Sequence, residues 1–278
     1  MAAVSDDALA RGALRRAGER VADLVAGIDD IDGPAKGLTW TVGETATHTL
    51  IGVRTYTEAV AGDVERATAF IPDAPGYRAR MDAMTSQSLA TEPRRDAATL
   101  STLLREQVNA FLEAAGARSG DDTVQTPWFG DDATLPVSLV TRLQLGELLI
   151  HGLDIARGLH RPWPIRRAEA LLIAPATIAM MPRVFDAEAA RDVRALFRVR
   201  LRGGFTVGVR IENGTMDVTA SGEWDERPDC TLLADPVAFL LLGYGRMSQW
   251  PLIAQGRLLA YGRKPWLSLR LKQLFVNP

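Results

Sequence analysis

The 278-residue chain contains one cysteine, Cys230, so no disulfide can form within it. The residue falls between Pro228 and Thr231 in a strand-like stretch and reads as a small buried side chain. Histidine is scarce, limited to His48, His151 and His160, and so is lysine, limited to Lys36, Lys264 and Lys272. No stretch reaches the roughly 18 consecutive apolar residues of a membrane span. The N-terminal MAAVSDDALA has early acids where a secretory signal carries a positive region and an apolar core. A cytoplasmic protein with no membrane partner is the expectation. Net charge is also low, −2 with a pI near 6.0, which gives no global attraction to nucleic acid. After Asp235 acids are absent altogether, while Arg246, Arg257, Arg263, Lys264, Arg270 and Lys272 follow. This cationic segment either docks onto acidic side chains of the same protein or forms an anion-binding wall.

What is present is the composition of a soluble globular protein, 47% hydrophobic and 24% charged, long enough for one large domain or two moderate ones. Ser5, Asp6 and Asp7 mark a helix start, with Leu9, Ala13, Ala17, Val21 and Leu24 on one face up to Gly27. Thr41 and Glu44 form a capping box for a second helix running to Gly62. Residues 77–90 and 96–116 predict two helical pieces separated at Pro93. Residues 117–135 read as a loop, after which Pro136 opens a helix to Gly158. Four helices over this length predict an up-and-down bundle.

One more helix is expected in RRAEALLIAPATIAMM, kinked or ended by Pro175. From Phe197 the period becomes two: FRVRLR, FTVGVRIE, TMDVTAS and CTLLA alternate as strands, with GG and NG as turns between the first three. Helical segments return in VAFLLLGYG, around SQWPLIAQG and in the closing PWLSLRLKQLFV. The fold class is therefore α+β: an N-terminal four-helix bundle over residues 1–162, a connecting helical segment over 163–194, and a smaller α+β domain over 195–278.

The chemistry-bearing pattern is in the bundle. Glu147 precedes His151 by one helical turn in GELLIHGLDIA, so both side chains leave one face and can reach a single ion. His48, from the second helix, completes a set of three. Its stripe of Glu44, Thr45, His48, Ile51, Gly52 and Thr55 is small and partly polar, and the stripe of Gln144, Glu147, His151 and Asp154 matches it. Three protein ligands with a vacancy for water or substrate is the pattern of a catalytic zinc site. The same Glu and His spacing also occurs as an ordinary surface pair, and the second histidine of an HExxH metalloprotease helix is missing. Glu44 is either the capping partner of Thr41 or a group that orients His48; Asp154 either orients His151 or ties to Arg157. His160, past the helix end, reads as a terminator.

With those residues in hand, the chain resembles the mycothiol-dependent maleylpyruvate isomerase family, whose N-terminal domain belongs to the DinB-like metal-dependent thiol transferases. WTVGETATHTLIG resembles the family's tryptophan, helix start and first ligand; GELLIHGLDIARGLHRPWPI resembles its Glu and His ligands and the exit that follows. DPVAFLLLGYGR and QGRLLAYGR are similar to its C-terminal domain of sterol-carrier-protein type. The resemblance implies a divalent metal at His48, Glu147 and His151, with Zn²⁺ the expected ion, and mycothiol, a cysteinyl pseudodisaccharide thiol of actinobacteria, as thiol cosubstrate. It further implies an arginine of the C-terminal domain, Arg246 or else Arg257, that binds a small, anionic electrophile.

Metal coordination converts a thiol to the nucleophilic thiolate. Two neutral imidazoles and one carboxylate leave the site at net +1, which a thiolate neutralises. The expected reaction is cis–trans isomerisation or thiol S-transfer. The rivals are a non-catalytic protein that binds a small molecule or lipid above a vestigial metal site, and a structural or regulatory interaction protein.

Overall fold

Residues 2–68, 71–72, 74, 76–220 and 226–276 are described by the computed structural model. Helix α1 (Ala2–Ala26) begins ahead of the Ser5 start expected from sequence; the strong helix formers Ala2 and Ala3 extend it outward. Its buried stripe is Ala10, Ala13, Leu14, Ala17, Val21 and Leu24, while Leu9, expected on that face, points to solvent at 57% exposure. Helix α2 (Val42–Ala61) opens on the capping box. Thr41 Oγ1 accepts the Glu44 N–H at 3.0 Å, and Glu44 Oε2 accepts the Thr41 N–H at 2.8 Å. Gly62 ends the helix at a φ of 89°, a backbone conformation that a Cβ disfavours.

A short α3 (Val64–Thr68) and then α4 (Gly76–Thr91) precede α5 (Ala97–Gly116), which Asp96 caps by accepting the Thr99 N–H at 2.8 Å. The stretch read as a loop contains a small hairpin, β1 (Thr123–Gln125) with β2 (Thr134–Pro136). Each strand has three residues, too few for alternation to register in sequence, yet Val124 and Leu135 both turn inward. Between them Trp128 is buried against Ala59 and Ala67, with Tyr56, Met81 and Met84 around it. Helix α6 (Val137–Gly158) follows directly.

The main helices form a four-helix bundle. Both α1 and α2 pack on α5 and on α6, so α1 lies across from α2 and α5 across from α6. Consecutive helices α1 and α2 are thus diagonal, which corrects the simple up-and-down order: residues 27–41 are long enough to cross the bundle end. Helix α7 (Arg167–Met180) runs through Pro175, which does not end it. The chain divides into two compact units, residues 1–176 and 177–278.

The second unit is built on a five-stranded sheet. Strands β3 (Arg194–Leu201), β4 (Thr206–Glu212) and β5 (Thr215–Ala220) run antiparallel in sequence order. Asn213 and Gly214, with φ of 53° and 75°, make the tight β4–β5 turn that the NG dipeptide predicts. Ser221, counted in the third strand from sequence, lies outside the described residues. Strand β6 (Cys230–Ala234) pairs with β3 in parallel, the antiparallel β7 (Leu258–Gly262) closes one edge, and the order is β5-β4-β3-β6-β7. Helices α8 (Pro236–Gly243) and α9 (Gln249–Ala254) connect β6 to β7, and α10 (Leu267–Leu271) follows. β7 escapes a reading by period because the edge strand buries little more than Leu258.

Acidic groups of this unit pair with three cations of its C-terminal segment. Asp229 accepts the Leu196 N–H at 3.1 Å and pairs with Arg263 at 2.6 Å and Lys264 at 3.3 Å, tying β3 to the exit of β7. Burial opposes the charge on Asp229, but these donors outweigh it and hold its carboxyl below the usual range. Asp235 caps α8 through the Ala238 N–H at 3.0 Å and pairs with Arg257 at 2.7 Å. Cys230 is buried, and its burial pushes the thiol up to about 11, which leaves it protonated.

Candidate metal centre

Missing side chains set the approach of α6 to the start of α2 and of the preceding connection to α2. A Cβ on Gly158 would lie 2.6 Å from Val42 Cγ1 and 2.8 Å from the Pro34 carbonyl oxygen; one on Gly43 would lie 2.7 Å from the Ile31 oxygen. The helices are antiparallel, since Val42 meets Gly158 while His48, further along α2, meets His151, earlier on α6, with rings 4.9 Å apart. Helix α6 stops where His160 turns left-handed at a φ of 53°, the position glycine commonly fills. Its own middle is held from another side by Trp163, whose Nε1 donates to the Leu149 oxygen at 2.9 Å and whose ring occupies the space a Cβ on Gly152 would take.

That pairing brings His48, Glu147 and His151 together: one ligand atom from each lies within 4.8 Å of the others. Donors bound tetrahedrally at about 2.0–2.2 Å stand roughly 3.4 Å apart. Small side-chain rotations therefore close these three on an ion. His151 is 6% exposed, with Nε2 3.2 Å from Glu147 Oε2 and Nδ1 3.3 Å from Asp154 Oδ2. The Nδ1 contact lies off the line of a well-formed hydrogen bond. Burial pushes the imidazole pKa down, yet Asp154 and Glu147 outweigh it and raise the value to about 9. The surroundings of His151 thus stabilise positive charge at this point. With its proton on Nδ1, toward Asp154, His151 presents the Nε2 lone pair beside Glu147, the arrangement of a carboxylate–histidine–metal unit. The residues present fit a divalent cation.

Trp40 roofs the cluster, its ring 4.9 Å from that of His48 and 6.5 Å from that of His151. In sequence it stands out only through the family-like WTVGE segment. Glu44 is exposed, with one carboxylate oxygen engaged by the cap. Arg246 and Arg257 belong to the second unit. Arg246 donates to the Tyr244 oxygen at 2.8 Å, and Arg257 is the ion-pair partner of Asp235 described above.

Two residues beside the cluster carry signals that the sequence reading did not turn into roles. Gln144 is 1% exposed, and neither its Oε1 nor its Nε2 has a hydrogen-bond partner among the described residues. A buried polar group left this way costs about 1–3 kcal/mol. Gly52, one turn beyond His48 on α2, has open space where its Cβ would be: apart from its own stretch of helix, no heavy atom of the described residues lies within 4 Å. A mid-helix glycine costs about 1 kcal/mol relative to alanine, and no neighbour requires this one to lack a side chain.

Comparison with known proteins gives the chain its relatives. Residues 14–156 match the sequence family described as the mycothiol maleylpyruvate isomerase N-terminal domain, and residues 183–275 match the SCP-2 sterol transfer family. Among curated proteins nothing matches. Among solved structures, the crystal structure of the mycothiol-dependent maleylpyruvate isomerase is similar, with a TM-score of 0.53 and 12% identity, covering 91% of this chain and 92% of that one. A histidine-to-alanine mutant of that isomerase gives a TM-score of 0.54 at 11% identity with the same coverage. At this identity the likeness is one of fold.

Proposed function

The chain belongs to the mycothiol maleylpyruvate isomerase family through its N-terminal domain, and from that premise we propose that it is a mycothiol-dependent metalloenzyme whose ion is held by His48, Glu147 and His151. The observation that carries this reading is the convergence of these three side chains from two helices far apart in the chain. Bound there, a divalent cation, zinc on the chemistry of the donors, would lower the pKa of a thiol from its ordinary value of about 8.5 so that it is ionised at neutral pH.

The chain's own groups do the rest. Asp154, with Oδ2 3.3 Å from Nδ1 of His151, would favour the proton on that nitrogen and so leave Nε2 to face the ion. Trp40 covers the imidazoles and limits the access of water. Arg246 is the guanidinium put forward for the carboxylate of an anionic electrophile, since it matches the family-like LLLGYGR segment; Arg257 is second to it. The mycothiol sulfur adds to a conjugated cis double bond, the bond that has become single rotates, and the sulfur departs to leave the trans isomer. In the S-transferase alternative the sulfur instead displaces a leaving group and stays on the product. Both reactions use the same three ligands, so the fold alone leaves them equivalent.

Incubating the zinc-loaded protein with mycothiol and maleylpyruvate or other electrophiles, with chromatography and mass spectrometry of the products, tests the proposal. Isomer formed without net thiol consumption identifies an isomerase, and an equimolar thiol conjugate identifies a transferase. Turnover that continues without mycothiol, or stoichiometric retention of a small molecule with no thiol-dependent chemistry, overturns the proposal.

A further inference from the structure

Gln144 and Gly52 lie on the same side of the metal cluster. Gln144 precedes Glu147 by three residues and His151 by seven, which places it on the same face of α6 as both. Gly52 follows His48 by four residues on α2. Because the helices run antiparallel, both displacements point toward the same end of the bundle. One helix contributes an enclosed carboxamide with no hydrogen-bond partner among the described residues, and the other contributes open space where a Cβ at Gly52 would stand.

We propose that Gln144, with the gap at Gly52, forms a subsite for a secondary amide carried by the thiol cosubstrate next to its sulfur, as in an N-acylated cysteinyl thiol. This inference rests on the thiol-dependent reading above. A carboxamide presents an acceptor and a donor side by side, and a secondary amide presents the complementary pair, so a single ligand group satisfies both orphaned atoms of Gln144. A carboxylate or a hydrocarbon does not. In such a thiol two carbons separate sulfur from the amide nitrogen. That reach is comparable to the roughly 4.5 Å of helix rise between Glu147 and Gln144. Gln144 is thus a specificity-determining residue, and Gly52 keeps the path to it open.

The test measures binding by calorimetry on the zinc-loaded full-length protein, using two thiols that differ only in an acetamido group: N-acetylcysteine methyl ester and methyl 3-mercaptopropionate. The amide-bearing thiol should bind about thirtyfold more tightly, the effect of two net hydrogen bonds. Gln144→Leu should bring both thiols to the weaker affinity, with zinc content unchanged and the melting temperature equal to or above that of the parent. Gln144→Met serves the same purpose if the leucine variant does not fold. Gly52→Val should weaken the amide-bearing thiol selectively. Equal binding of the two thiols by the parent, or a preference that survives in Gln144→Leu or Gln144→Met, overturns the subsite and leaves the metal–thiol reading standing. Failure of the zinc-loaded parent to bind either thiol overturns that reading, and the subsite falls with it.

Discussion

His48→Ala should weaken metal binding by more than about 100-fold, above the 10–100-fold typical of losing a group that only supports a ligand, and should abolish mycothiol-dependent turnover while the fold survives. The ring of His48 is partly buried at the edge of the cluster, in contact with Trp40 and His151, so its removal takes away a ligand and little packing. His151→Ala should behave differently. Its imidazole is 6% exposed and lies between Glu147 and Asp154, the latter 1% exposed, and it carries positive charge when no metal is bound. Truncating one member of a buried ionic group costs about 3–5 kcal/mol. The metal-free His151→Ala protein should therefore melt well below the parent, whereas metal-free His48→Ala should not. Metal competition titrations and calorimetric melting of both variants check this. Full metal affinity in His48→Ala would remove the residue from the ligand set.

Trp128→Ala should destabilise the first unit by about 3–5 kcal/mol, the usual cost of deleting a large buried aromatic side chain. Trp128 is 2% exposed and meets Tyr56 edge-on, with ring centres 5.0 Å apart. It is the plug that fastens the 117–136 connection to the second half of α2, and Tyr56 stands two turns beyond His48. The damage should extend weakly to the metal centre through a looser α2. Urea unfolding measures the first effect and metal titration the second. A loss below about 1 kcal/mol would show that the connection is held by something else.

The parts legible in the sequence were those with a local cause. Thr41 and Glu44 announce a helix start because a capping box needs only four residues. Glu147 and His151 share a face because of helix periodicity, and the NG turn needs only its own dihedral angles. What escaped was what depends on partners. The diagonal placement of α1 and α2 is decided by which faces of α5 and α6 receive them, and residues 27–41 carry no mark of it. The hairpin of β1 and β2 is too short to show a period. Leu9 fits the helical stripe yet lies largely exposed. Gln144 appears in sequence as one polar residue on a mixed face; only in three dimensions do its two amide atoms prove to be without partners among the described residues. Asp229 and Asp235 collect cations from a segment whose charge imbalance is visible in sequence, but whose pairing depends on the sheet.

The claim on which the rest depends is that two imidazoles and one carboxylate hold one divalent ion between α2 and α6. X-ray absorption spectroscopy at the zinc edge, on protein reconstituted with zinc and freed of excess, tests it most directly. One zinc per chain should be retained, with scattering from two imidazoles at about 2.0–2.1 Å and from a carboxylate oxygen at about 2.0–2.2 Å. Zinc lost on removal of the excess, or retained with no imidazole scattering, would contradict it.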